Sequence, residues 1–150
     1  MTSLAEGETG AELAQKPVEL ILLRELASRL TMPVSLYDAN RKLVYMNEAA
    51  ERLMAVRFVD LGEISHAELI RLVRPLDAHG RPIPAEQMPG GIALIGRRAE
   101  QTTAWMHDVE GGAHWCAMTS MPLDTQGGAA LGAMSIVWEI GHGDEAPPAW

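Results

Sequence analysis

Three stretches near the C-terminal end constrain the fold most: "EQTTAWMHDV", "AHWCAMTSMPL" and "AALGAMSIVWEI". The helical period of the preceding segments gives way here to that of strands, and the joints "EGG" and "DTQGG" are Gly-bearing turns. That pattern predicts three long strands joined by hairpins, an antiparallel meander whose two faces are set by a period of two.

The segments ahead of the meander have a different period. Val18, Leu22, Leu26 and Leu30 recur four apart, with Ile21 and Leu23 widening the stripe, so an amphipathic helix is expected over residues 12–31. Pro33 limits it, because the residue before a proline avoids the α region. "PVSLYD" and "KLVYM" then alternate around "DANR", a turn made by residues that bond their own backbone. Asn47 follows as the N-cap of a helix whose inward stripe is Ala50, Leu53 and Met54. Ser65, with Glu68 three residues on, opens a second short helix, "SHAELIRLV". Pro75 to Pro89 holds four of the nine prolines and reads as rigid and irregular. "GGIALIGRR" has one to two helical turns. Two strands before the helices and three after them fit one five-stranded antiparallel sheet with short helices on one face, an α+β architecture.

These segments, in this order, resemble a PAS domain, the sensor module of bacterial signalling proteins. "VSLYDANRKLVYMNEAAERLM" is similar to the opening hairpin and first helix of that family. "RPLDAHGRPIPAEQMPGGIALIG" is similar to the segment leading into its central helix, and "DVEGGAHWCAMTSMPLDTQGGAALGAMSIVWEI" to its last three strands. The resemblance runs from about Leu26 to Ile140. It implies a PAS-like domain over 32–140, preceded by a flexible 1–11 and the helix of 12–31, and followed by a tail at 141–150. It also implies a non-catalytic sensory or regulatory role. A small apolar ligand or a protein partner would be bound, with signalling through a homodimer to an output protein such as a histidine kinase or transcriptional regulator. Such domains often close with an Asp-Ile-Thr signature coupled to an output helix, but here Glu139, Ile140 and Gly141 stand in its place. The expectation is a lone sensor or a fragment of a longer protein.

The residues allow several sites. The candidate ligand pocket comprises Met46, Asn47, Leu53, Met54, Ile92, Leu94, Trp105, Trp115, Met134 and Ile136. Adaptable methionines, nine in the chain, and amphipathic indoles suit a cavity wall. They equally suit an ordinary core, and Asn47 equally suits a plain cap. Val18, Ile21, Leu22, Leu26 and Leu30 are the candidate dimer contacts, although the same stripe could lie on its own sheet. His107, His114 and Cys116 are the one concentration of metal-ligating chemistry. A two-residue turn at Glu110 and Gly111 would put His107 opposite His114, whereas a turn at Gly111 and Gly112 would put it opposite Cys116. A solvated polar pair explains the same residues.

No cofactor is indicated. The stretch where haem-sensing relatives carry a histidine, "PAEQMPGGIALIGRR", has none, which leaves His66 and His79, both read as solvent-facing. Nothing resembles the reactive-cysteine motif of flavin photosensors. Catalytic signatures are absent, and a ketosteroid-isomerase-like enzyme on a similarly curved sheet would need a carboxylate in the cavity, for which Glu139 is the candidate. The net charge of −8 with scattered Arg and Lys argues against direct nucleic-acid binding. The lone Cys116, an N-terminus unlike a signal peptide and the lack of a long apolar run suggest a cytoplasmic protein without membrane contact.

Overall fold

The computed structural model describes residues 17–140. The expectations for 1–11, for the start of the first helix and for the tail 141–150 lie outside the described residues. In chain order the elements are α1 (Val18–Ser28), β1 (Val34–Asp38), β2 (Leu43–Met46), α2 (Glu48–Met54), α3 (Phe58–Leu61) and α4 (His66–Val73). A 3-10 turn at Ala85–Gln87 leads into α5 (Pro89–Gly91), which continues as π-helix over Ile92–Gly96. Then come β3 (Glu100–His107), β4 (Ala113–Asp124) and β5 (Ala130–Glu139). The strands form one antiparallel sheet in the order β2-β1-β5-β4-β3. The α+β architecture expected from the sequence is the one observed.

Turn chemistry anchors the hairpins. Asp38 Oδ1 accepts from the Asn40 and Lys42 amides, and Arg41 takes a left-handed conformation at φ 64°. The β3–β4 connection is longer than either two-residue turn considered above. It runs from Asp108 to Gly112, with Asp108 Oδ1 accepting from the Glu110 and Gly112 amides at 2.9 Å each. The proline-rich segment flanks the outer edge of β3: Leu76 and Trp105 exchange both backbone hydrogen bonds, at 2.9 and 2.8 Å. That pairing occupies donors and acceptors of an otherwise open edge strand.

The sheet is covered on both faces. On the inner face, Tyr37, Leu43, Ala104 and Met118 pack against Met54 of α2, Leu69, Ile70 and Val73 of α4, and Met88. On the outer face, Ala27 and Leu23 of α1 close over Val34, Leu36, Met134 and Ile136. The Arg24 guanidinium also lies 5.1 Å from the Tyr45 ring centroid. α1 therefore docks through Leu23 and Ala27. The wider stripe of Val18, Ile21, Leu22, Leu26 and Leu30 points away from the sheet and is exposed. Of the two packings open to the four-residue stripe, contact with its own sheet is therefore not the one observed.

Candidate functional site

Between the inner face and helices α2, α4 and α5 lies a cavity of about 50 Å³. Its wall is mostly aliphatic and thioether: Leu53, Met54, Leu69, Ile70, Val73, Met88, Met106, Met118 and Val137. Pro33, Ser35, Tyr37, Ala50, His66, Gly90 and Ser135 complete it. Strand parity decides which residues take part. Ser35 pairs with Ser135, and Ser135 with Ser120, so these point inward together with Tyr37 and Val137.

That register corrects most of the pocket expected from sequence. Leu53 and Met54 line the cavity. Met134 and Ile136 project to the outer face beneath α1, since their neighbours Ser135 and Val137 took the inner positions. Trp105 and Trp115 sit opposite one another in the β3–β4 ladder, on the face opposite to Met106 and Met118. Their rings meet at 5.2 Å. Met46 is buried in the inner core without reaching the cavity, and Ile92 does not line it either. Leu94 borders a separate surface groove with Arg41, Lys42 and Glu86. An alternating strand shows two faces but not which one turns inward, and this is why sequence reasoning missed Tyr37 and Ser135.

Asn47 stands at the hairpin–helix junction. It is fully buried, and its Oδ1 accepts from the Val34 and Ala50 amides at 3.0 Å each. Its Nδ2 donates to the carbonyls of Ala27 at 2.9 Å and Met32 at 2.8 Å. The residue caps α2 as expected, and it also ties the end of α1 and the start of β1 to that cap. It is not in the cavity wall.

His66 departs furthest from expectation. Rather than facing solvent, it is only 5% exposed and lines the cavity, edge-to-face with Tyr37 at 5.1 Å between centroids. Burial pushes its pKa down to about 4, so the ring is neutral near pH 7. Burial likewise raises the Tyr37 phenol, which stays protonated.

The metal reading does not survive the register. His107 pairs with Ala113 and Cys116 with Ala104, so His107 and His114 project from opposite faces. Among the described residues no group of three or more His, Cys, Asp or Glu could hold a metal ion. His107 Nδ1 instead donates to the Arg74 carbonyl at 3.0 Å. Cys116 is buried, and desolvation together with the Glu139 charge pushes its thiol up to about 12. His114 sits between two carboxylates, with Nε2 2.8 Å from Asp108 Oδ2 and Nδ1 against Glu139 Oε1. A neutral imidazole has one N–H, and contact with two ionised carboxylates calls for both nitrogens to carry protons. Glu139 is thus engaged away from the cavity, and no carboxylate lines that cavity.

No family model matches the chain, and no curated protein matches its sequence significantly. Solved structures match it in fold. The PAS domain of the fruit-fly ELK potassium channel superposes with a TM-score of 0.66 at 12% identity, covering 82% of this chain and 98% of that one. A LOV protein of Rhodobacter sphaeroides gives 0.64 at 17%, covering 83% and 69%. A PAS domain from a two-component sensor histidine kinase gives 0.56 at 13%, covering 84% and 100%. The chain has the PAS fold.

Some structures of this fold are light-oxygen-voltage domains, one of them studied with a flavin analogue. The cavity in its present packing is smaller than a flavin or a haem. About 50 Å³ accommodates about four water-sized atoms, far below the several hundred Å³ of a site for a drug-sized ligand. Cys116 is not in the wall.

Proposed function

We propose that this chain is a non-catalytic sensory or regulatory domain of the cytoplasm that binds a small ligand in the inner-face cavity. Occupancy is passed to a second copy through α1. The observation that carries this reading is the cavity itself, lined by helix and sheet residues of one continuous core. Four methionines in its wall, Met54, Met88, Met106 and Met118, can repack around a guest. A ligand acts by preferring one packing of this wall over another, which shifts a population already present.

The exposed stripe of α1 supports the second half of the reading. Val18, Leu22 and Leu26 are 65%, 62% and 55% exposed on a helix whose other side is docked on the sheet. A kinase output is supported by the histidine-kinase PAS domain of the same fold. The exposed stripe, beside so small a cavity, also favours a second reading, a ligand-free dimerisation module.

Native mass spectrometry and an absorption spectrum of freshly purified protein, followed by melting with a panel of small ligands, separate the two. A co-purifying molecule or a ligand-dependent rise in Tm is expected. A bare mass with no shift across the panel leaves only the interaction module. Leu22→Glu should keep the fold and yield a monomer by light scattering. A wild-type protein that is already monomeric refutes the homodimer.

A further inference from the structure

We propose that the cavity takes a small uncharged molecule with an apolar body and one hydrogen-bonding group, and that Tyr37 and His66 hold that group. This rests on the reading of the cavity as a binding site and specifies its ligand. Tyr37 is 3% and His66 5% exposed, and both line the cavity. No hydrogen bond of the phenol oxygen or the imidazole nitrogens to another described residue is present, and burial alone shifts both groups. Every fully buried side-chain N or O among the described residues is paired, so these atoms keep accessible surface, and on the cavity wall they offer a polar guest its hydrogen bonds. Their rings touch, and one small ligand can reach both.

A third polar group lies beside them. A Cβ placed on Gly90 would stand 2.6 Å from His66 Nε2 and 3.4 Å from Ser135 Oγ, so these atoms flank one point on α5. Only glycine leaves that point open. Ser135 and Ser120 share one hydrogen bond at 2.6 Å, which uses one of their two hydroxyl protons and leaves Ser135 further capacity.

The rest of the wall sets the ligand's charge and size. No Asp, Glu, Lys or Arg lines the cavity, so an ionic ligand would lose its hydration without gaining a counter-charge. A neutral imidazole and a phenol each offer one donor and one acceptor, which matches a carbonyl, hydroxyl or amide. His66 keeps that neutral form because desolvation holds its pKa at about 4. A volume near 50 Å³ fits about four non-hydrogen atoms, and repacking of the four wall methionines is what makes room for a body of about six.

The test uses the whole chain labelled at its methionine methyls, titrated by NMR with isobutyramide, isobutyrate and xenon. Isobutyramide should shift the methyls of Met54, Met88, Met106 and Met118 saturably, whereas isobutyrate, of equal size but charged, should not. Xenon should perturb the same methyls through the apolar wall alone. Tyr37→Phe and His66→Leu should each weaken isobutyramide about tenfold while leaving the xenon response in place. Isobutyrate binding as tightly as the amide, a response to xenon alone, or unchanged amide affinity in both variants overturns the ligand class and leaves the binding site standing. Silence of these methyls towards every probe, xenon included, overturns the binding site itself.

Discussion

Asn47→Ala is expected to cost far more than the loss of a helix cap. The side chain makes four close hydrogen bonds, to the Val34 and Ala50 amides and the Ala27 and Met32 carbonyls, from a position with no exposed surface. Loss of an N-cap alone costs about 1 kcal/mol. The Val34 amide and Ala27 carbonyl belong to residues 0% and 1% exposed, and orphaning each adds about 1–2 kcal/mol. The Met32 carbonyl is easier to hydrate, because Met32 is 41% exposed. The total is about 3–5 kcal/mol, a large share of the roughly 5–15 kcal/mol that holds a domain together. The control is Ser65→Ala, which removes an exposed cap on α4 bonded to the Glu68 amide at 3.1 Å and should cost about 1 kcal/mol. Urea unfolding of both variants, compared at equal m-values, gives the two numbers. Asn47→Asp distinguishes further: it keeps the acceptor but turns a carboxylate oxygen towards two carbonyls, so it should be unstable at pH 7 and partly recover on acidification. If Asn47→Ala costs no more than Ser65→Ala, the three-way tie of α1, β1 and α2 contributes nothing and the residue is only a cap.

Further perturbations test the register and the buried histidines. Gly132 has φ 142°, and a Cβ there would fall on the Tyr37 carbonyl of the neighbouring strand, so Gly132→Ala should destabilise by about 3 kcal/mol or more and loosen the β1–β5 ladder in hydrogen exchange. His114 titrates above the ordinary 6.5, because its two carboxylates outweigh the opposing effect of burial. The stability it adds is full below about pH 6.5 and lost as pH rises through the higher folded value. His114→Gln should flatten that part of the stability profile, and an unchanged profile would refute the double-carboxylate contact. His66, held at about 4, acts in the opposite direction. Stability is lost as pH falls from about 6.5 towards 4, and NMR titration of the imidazole should show no protonation near pH 6.

Much of the fold can be read locally. The Gly-bearing joints at 110–112 and 124–128, the Asp38 turn, and the Asn47 and Ser65 caps are short-range chemistry, and each appears where the residues require it. Leu53 and Met54 follow the helical period of α2 onto the cavity wall. Where a local rule left a choice between turns, the long-range geometry went another way, as in the Asp108–Gly112 loop that parted His107 from His114.

What the sequence determined by itself was the order and type of the elements, because periods of 3.6 and 2 and the turn residues act over a few positions. Only the tertiary structure decided which side of each strand turned inward. Pairing of β1 with β5 sends Ser135 and Tyr37 to the cavity and Met134 and Ile136 beneath α1. A shift of one residue would exchange every one of these assignments, and no local propensity distinguishes the two outcomes. His66 shows the same dependence. It is an unremarkable polar residue at the start of a short helix until α4, α5 and β1 close around it and remove its water.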